Sequence, residues 1–142
     1  MYSTHTQHLV PFHDVDSMMV VWHGHYVKYL ELARCDFLDS IGYSYKAMRD
    51  SGFAWPVVDM RIKYIKPLEF GQQIDVECYL MESEYRLKLG YVIRDAASGI
   101  KITKGYTVQV AVDLQTNELC FESPPALIKA LAKKLTVNSE TT

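Results

Sequence analysis

The sequence predicts an α+β domain in which a curved antiparallel sheet wraps around one long central helix. Three observations carry that reading. The spacing of apolar residues switches from near 3.6 to 2 past Ser51-Gly52. The segments of period 2 are joined by connections too short for a parallel crossover. The one long helix is apolar around much of its girth and needs a surface that wraps it, which a strongly twisted sheet supplies.

Taken in order, residues 1–7 are polar and read as frayed, and His8 to His13 can form a first strand. From Tyr26, the apolar Tyr29, Leu30, Ala33, Phe37, Leu38 and Ile41 follow at three- and four-residue spacing, while Lys28, Glu31, Asp36 and Asp39 fall elsewhere on the wheel. Gly24 lies at the start of this helix and Gly42 suits a left-handed C-cap, giving about four turns or ~24 Å. Four strands follow. One face of each carries Val58, Met60, Ile62 and Tyr64; then Ile74, Val76, Cys78 and Leu80; then Leu87, Leu89, Tyr91 and Ile93; then Ile102, Tyr106, Val108, Val110 and Val112. The short connections predict a meander in sequence order. After Pro124-Pro125, Ala126 to Leu135 reads as a closing helix with Leu127, Ile128, Leu131 and Leu135 apolar, and 136–142, TVNSETT, as a polar tail. No repeat or linker divides the chain, so 1–142 reads as a single domain with its core over about 8–135. A chain of 142 residues can bury roughly two thirds of its unfolded surface in one core.

A formal net charge of −2 supplies no general field for a polyanion, which argues against nucleic-acid binding. Cys35, Cys78 and Cys120 are odd in number, far apart and set in apolar segments, which suits reduced thiols rather than a disulfide framework or a zinc ribbon. No basic patch leads into a long apolar run at the N-terminus, and no stretch approaches bilayer-spanning length, so the expectation is a cytoplasmic protein without membrane insertion.

Residues 12–34, FHDVDSMMVVWHGHYVKYLELAR, concentrate aspartates, histidines and aromatics just ahead of the helix. Within them Asp14-Val15-Asp16, then Val20-Val21-Trp22-His23, Tyr26, Tyr29, Glu31 and Ala33-Arg34 form a pattern that resembles the hotdog-fold 4-hydroxybenzoyl-CoA thioesterase-like family, close to the Tol-Pal-associated acyl-CoA thioesterases. Tyr64, Pro67, Phe70-Gly71 and the Pro124-Pro125-Ala126-Leu127 ending add weaker support. The resemblance implies a hotdog fold and hydrolysis of an acyl-CoA thioester. It implies Asp16 as the catalytic carboxylate, and His23 as the residue whose backbone N–H meets the thioester oxygen. Where that family commonly has small residues after the second aspartate, this chain has Ser17-Met18-Met19, which puts two flexible thioethers near the carboxylate. Met18, Met19, Trp22 and Tyr26 are the candidate acyl-group contacts.

The spacing also makes chemical sense without the family. A helix N-terminus presents unpaired N–H groups and partial positive charge where a thioester oxyanion would form. A carboxylate a few residues upstream can face the same carbonyl, either attacking it or deprotonating a water. The plainer reading of Asp16 is a cap for the helix or a turn, and that of His23 is a ring packed against the sheet. Asp14, one strand period from Asp16, could orient the loop, and its plainer reading is a solvated or turn-forming aspartate. A metal site built on His13, Asp14, Asp16, His23 and His25 is disfavoured, because His23 and His25 would diverge by roughly 200° on a helix. Ser17 lacks the glycine elbow of a serine hydrolase. Tyr26 and Tyr29 read as helix packing, and Glu31 as a partner for Arg34. Arg86 and Lys88 are the candidate holders of coenzyme A phosphates among strand cations that are otherwise solvated.

No metal or redox cofactor is implied beyond coenzyme A as part of the substrate. A sheet of four or five strands leaves an unpaired edge, which predicts a homodimer that could pair again into a homotetramer. The thiol carrier is open between coenzyme A and acyl carrier protein. The alternative from another class is a non-catalytic acyl-thioester binding protein of the same fold, and a hotdog hydratase is a third reading.

Overall fold

The helix predicted from Tyr26 forms as α1, Tyr26–Ser40, and it is the axis of a computed structural model that describes residues 2–141, the last six in backbone only. Its apolar stripe is the core: Tyr26, Tyr29, Leu30, Ala33, Phe37, Leu38 and the following Ile41 are all buried. The helix ends as the glycine requires. Gly42 takes a φ of +74°, its N–H donates to the Asp39 carbonyl at 3.0 Å, and the Tyr43 N–H donates to the Leu38 carbonyl at 3.0 Å.

The sheet has five strands: β1 (Ser3–Leu9), β3 (Val57–Tyr64), β4 (Gln73–Glu82), β5 (Leu87–Asp95) and β6 (Lys101–Gln109). They run antiparallel in the order β1-β4-β5-β6-β3, with α1 packed against β1 and β4. A separate two-stranded ladder joins β2 (Phe53–Ala54) to β7 (Val112–Asp113). Bulges after Val57, Leu80 and Ile93 accentuate the bend and twist of the large sheet. The α+β class and the curved sheet around one helix are as the sequence predicts.

The sequence-order meander is not. β3 crosses to the far edge and pairs with β6, Ile62 opposite Gly105, leaving β4 between β1 and β5. Residues 65–72 therefore form a crossing rather than a hairpin. Their hydrogen bonds go to other elements: Ile65 and Lys66 N–H to the Ile102 carbonyl at 3.0 Å each, and Leu68 N–H to the Tyr26 hydroxyl at 3.0 Å. Leu68 is fully buried and anchors the crossing over the start of α1.

The face assigned to the last strand is inverted at Tyr106 and Val108, whereas Ile102, at the bulge, is buried in the core as read. Register places Thr103, Gly105, Thr107 and Gln109 opposite Ile93, Tyr91, Leu89 and Leu87, so the polar residues point inward with the core, and Tyr106 and Val108 lie on the outer face. Two of these buried polar side chains have specific partners. The Tyr91 and Thr107 hydroxyls bond at 2.7 Å, and the Gln109 amide donates to the Trp55 carbonyl at 2.8 Å.

Of the residues expected to fray, Ser3 to Gln7 belong to β1 and Tyr2 precedes it, while Met1 lies outside the described residues. Thr4, Thr6 and His8 face the same way as Cys78, Val76 and Ile74. Phe12 and His13, placed in the first strand by the sequence, instead lie with Asp14 in a 3₁₀ turn. A short helix, α2 (Tyr45–Asp50), was not predicted; the Ser44 hydroxyl caps it by accepting the Ala47 N–H at 3.2 Å. The closing helix α3 spans Pro125–Thr141, so the segment read as a polar tail continues it through Thr141 while Thr142 lies outside the described residues. All three cysteines are free thiols. Among the described residues no helix is long and apolar enough to cross a membrane.

Candidate active site at the mouth of the central helix

The loop that carries Asp16 is a small hairpin. Val15 bridges Val21 and Val20 bridges Glu69 of the crossing, while the Asp16 N–H donates to the Val20 carbonyl at 2.9 Å and the Met19 N–H to the Asp16 carbonyl at 3.0 Å. The Asp16 side chain closes the turn by accepting the Met18 N–H on Oδ1 at 2.8 Å, with Met19 in the left-handed region at a φ of +64°. Asp16 thus caps its own turn, leaving Oδ2 and the second lone pairs of Oδ1 for other work. The side chain is exposed in the single chain.

His23 opens a 3₁₀ turn, His23–His25, that runs straight into α1. The first N–H groups of such a helix start have no intrahelical acceptor and point out of its mouth. The imidazole is exposed and meets the Tyr64 ring edge-on at 6.3 Å, while the Tyr64 hydroxyl donates to the His23 carbonyl at 3.0 Å. That bond ties the helix start to the end of β3.

Asp16 and His23 line one cleft of about 360 Å³, together with Val20, Val21, Tyr26, Tyr64, Ile65, Lys66 and Pro67. Tyr26 is core and cleft at once: its ring is buried and meets Tyr64 edge-on at 4.8 Å. Burial pushes its phenol pKa up, so it stays protonated. Ile65, Lys66 and Pro67 belong to the crossing. Sequence reasoning took that segment for a hairpin and passed over Lys66, the one cation of the cleft; the Pro67 that interrupts the strand pattern was the available signal.

The other candidates fall elsewhere. Met18 and Met19 are 77% and 50% exposed and do not line the cleft, because the Asp16-capped turn carries residues 17–19 outward. Trp22 is half-exposed and lies over Gly24, where a Cβ would stand 2.3 Å from its ring; it meets His23 and His25 at 5.2 and 5.4 Å. Arg86 pairs with Glu82 at 2.8 Å, and Lys88 sits 4.3 Å over the Tyr106 ring. Lys88 is in register with Val108 and, through it, Asp59, five residues along β3 from Tyr64, or about 17 Å. Neither cation reaches this cleft. Arg34 and Glu31 form the ion pair read from the sequence.

Asp14 is not solvated. It is 1% exposed, and its Oδ2 accepts from the Tyr29 hydroxyl at 2.6 Å and from the Lys28 ammonium. Burial acts to raise its pKa, but the hydrogen bonds from Lys28 and Tyr29 and the nearby positive charge prevail, and the carboxyl lies below the usual range. Burial and the Asp14 carboxylate together push the Tyr29 phenol far up. His13 and His25 face Asp14 Oδ1 at 3.7 and 4.0 Å. Among the described residues no group of three His, Cys, Asp or Glu side chains is placed to hold a metal ion.

Set against known proteins, residues 10–135 match the family model described as the thioesterase-like superfamily. The chain belongs to that superfamily. Its hotdog fold is shared with the DHNA-CoA thioesterase of Staphylococcus aureus at a TM-score of 0.81 and 26% identity, covering 100% of this chain and 97% of that one. Slr0204 of Synechocystis, a 1,4-dihydroxy-2-naphthoyl-CoA thioesterase, superposes at a TM-score of 0.82 over 92% of this chain and 96% of its own, at 22% identity. In sequence, the Bacillus subtilis (strain 168) protein named "Putative acyl-CoA thioesterase YneP" is 29% identical over 108 residues, 75% of this chain and 78% of that protein.

Proposed function

We propose that this protein is an acyl-CoA thioesterase that hydrolyses an acyl-CoA to a free acid and coenzyme A. The observation that carries the reading is the meeting of the Asp16 carboxylate and the His23 helix start in one cleft of a thioesterase-superfamily fold. The thioester carbonyl lies between them. Its oxygen takes the N–H groups at the start of the helix, where negative charge developing in the tetrahedral state is stabilised by hydrogen bonds and the helix dipole. Asp16 acts on the carbonyl carbon from the other side, as a nucleophile forming a mixed anhydride or as a base that takes a proton from the attacking water. The coenzyme A thiolate leaves and is protonated, and on the anhydride route a water then hydrolyses the anhydride, releasing the free acid and restoring the Asp16 carboxylate. No metal or redox cofactor takes part.

The working unit in this reading is a homodimer in the cytoplasm. A single chain leaves Asp16 exposed on an open cleft, and its β3 edge carries the exposed Val57 and Val58. A second copy closes both.

The test is release of free thiol from a panel of aromatic and aliphatic acyl-CoAs, with the Asp16→Asn variant alongside. Turnover by the native chain and a fall of at least about 10³ in kcat for Asp16→Asn support the reading. Binding of acyl-CoA without thiol release makes the protein a carrier of the same fold, and full activity in Asp16→Asn takes that residue out of the mechanism.

A further inference from the structure

Asp14 is the carboxylate of the loop that the proposed chemistry leaves unused, and it is the one the fold buries. A charge is held in the interior only where its partners compensate for the lost water. Here they come from the first turns of α1: the Tyr29 hydroxyl at 2.6 Å and the Lys28 ammonium, both on Oδ2. The main chain of Asp14 makes a second connection, its carbonyl accepting the Trp22 N–H at 3.2 Å, one residue before His23. Val15 then bridges Val21, and Asp16 follows. The side chain of Asp14 therefore fastens the Asp16 hairpin to the body of the helix, while its carbonyl fastens the hairpin to the turn that precedes it.

We infer that Asp14, with Tyr29 and Lys28, is a positioning cluster that sets the separation between the Asp16 carboxylate and the amide hydrogens at the start of the turn, those of His23 and Gly24. This rests on the roles proposed above for Asp16 and His23. The Tyr29 bond is short and buried and the main-chain bond ties the hairpin directly to the residue before His23, so slackening them changes where the two halves of the site stand relative to each other. A displacement of about 1 Å between reacting groups lowers rate by about 10² without changing what the rest of the cleft grips. The groups facing the cluster are His13 and His25 at 3.7 and 4.0 Å from Oδ1, and His8 of β1, whose ring lies 5.8 Å from that of Tyr29.

The test uses the full chain and steady-state kinetics with one acyl-CoA that the native protein turns over. Tyr29→Phe removes a single hydroxyl, and Asp14→Asn removes the charge. The expected result is a fall of about 10-fold in kcat for the first and about 10² for the second, with KM within about twofold of native. Lys28→Met lowers kcat in the same way, and Lys28→Arg restores most of it. If Asp14→Asn does not fold, the Tyr29 and Lys28 variants decide. A loss of melting temperature with kcat unchanged, in variants assayed where they are fully folded, reduces the cluster to a structural clamp and overturns the inference. Asp16→Asn run in parallel separates the two claims: inactive Asp16→Asn beside fully active Tyr29→Phe and Asp14→Asn removes only the positioning role, whereas active Asp16→Asn removes the mechanism on which it rests.

Discussion

Asp14 and Asp16 stand two residues apart and occupy opposite environments, one buried against Lys28 and Tyr29 and the other exposed on the cleft. That contrast has a consequence for stability. The Asp14 carboxyl is held below its ordinary range, so its contribution is present above the unfolded carboxylate pKa of about 4 and is lost as pH falls through the lower folded value. Asp14→Asn is expected to cost about 2 kcal/mol at pH 7 and to flatten the acid side of the stability profile. Urea midpoints of both chains at pH 7, 5 and 3 check this; a gap between them that does not shrink toward pH 3 refutes it. At this scale the placement of Asp16 beside the His23 helix start was legible, because a two-residue pattern and a helix start are local. The sequence set Asp14 in solvent, because burial depends on Lys28 and Tyr29 folding over it. The outward Met18 and Met19 were equally unreadable, since their direction follows from a hydrogen bond within the turn.

Among the elements, α1 and strands β4 and β5 were legible because their buried faces are apolar with a clean period, whereas β1 and β6 turn polar faces inward. Thr107 is 1% exposed and its hydroxyl bonds to that of Tyr91 at 2.7 Å, so an apolar pattern was never there to be read. The same geometry makes a testable claim about which face is which. Thr107→Val keeps the shape but strands the buried Tyr91 hydroxyl, and is expected to cost about 1–2 kcal/mol. Tyr106→Phe on the opposite face removes a hydroxyl whose partner is the exposed Asp59 carboxylate at 3.4 Å, leaves the Tyr91 and Thr107 pair untouched and costs less. Thermal melts of the two variants check the order, and the reverse order would restore the face read from the sequence. The crossing of β3 over the helix start escaped pattern reading for a related reason: the hydrogen bonds that hold residues 65–72 run to Ile102 and Tyr26, far away in the chain. It is also the segment that brings Ile65, Lys66 and Pro67 to the cleft, so the part of the topology missed is the part that completes the site.

At the scale of the whole molecule, the two sheet edges are unlike. β1 presents mostly polar side chains, whereas β3 carries Val57 and Val58 at 37% and 57% exposure, with Tyr64 and Ile65 continuing the strip at 47% and 42%. The loops beside the cleft add Phe12, Trp22 and Phe70, each more than half exposed. So much apolar surface around one edge and one cleft is what the proposed homodimer would cover. An interface of ordinary size removes about 800 Å² from each partner. A charge at its centre disfavours association by leaving an unpaired ion in the contact. Val58→Asp places one on the β3 edge, at the bulge and away from the β4–β6 interior. The expected outcome is a monomer by light scattering, with far-UV circular dichroism unchanged and thiol release from acyl-CoA reduced at least 10-fold, because each open cleft has lost the surface that closed it. Activity that returns at high protein concentration, as mass action re-forms the pair, is the signature of a site shared between copies. A monomer with native turnover would instead show that one chain holds the complete site.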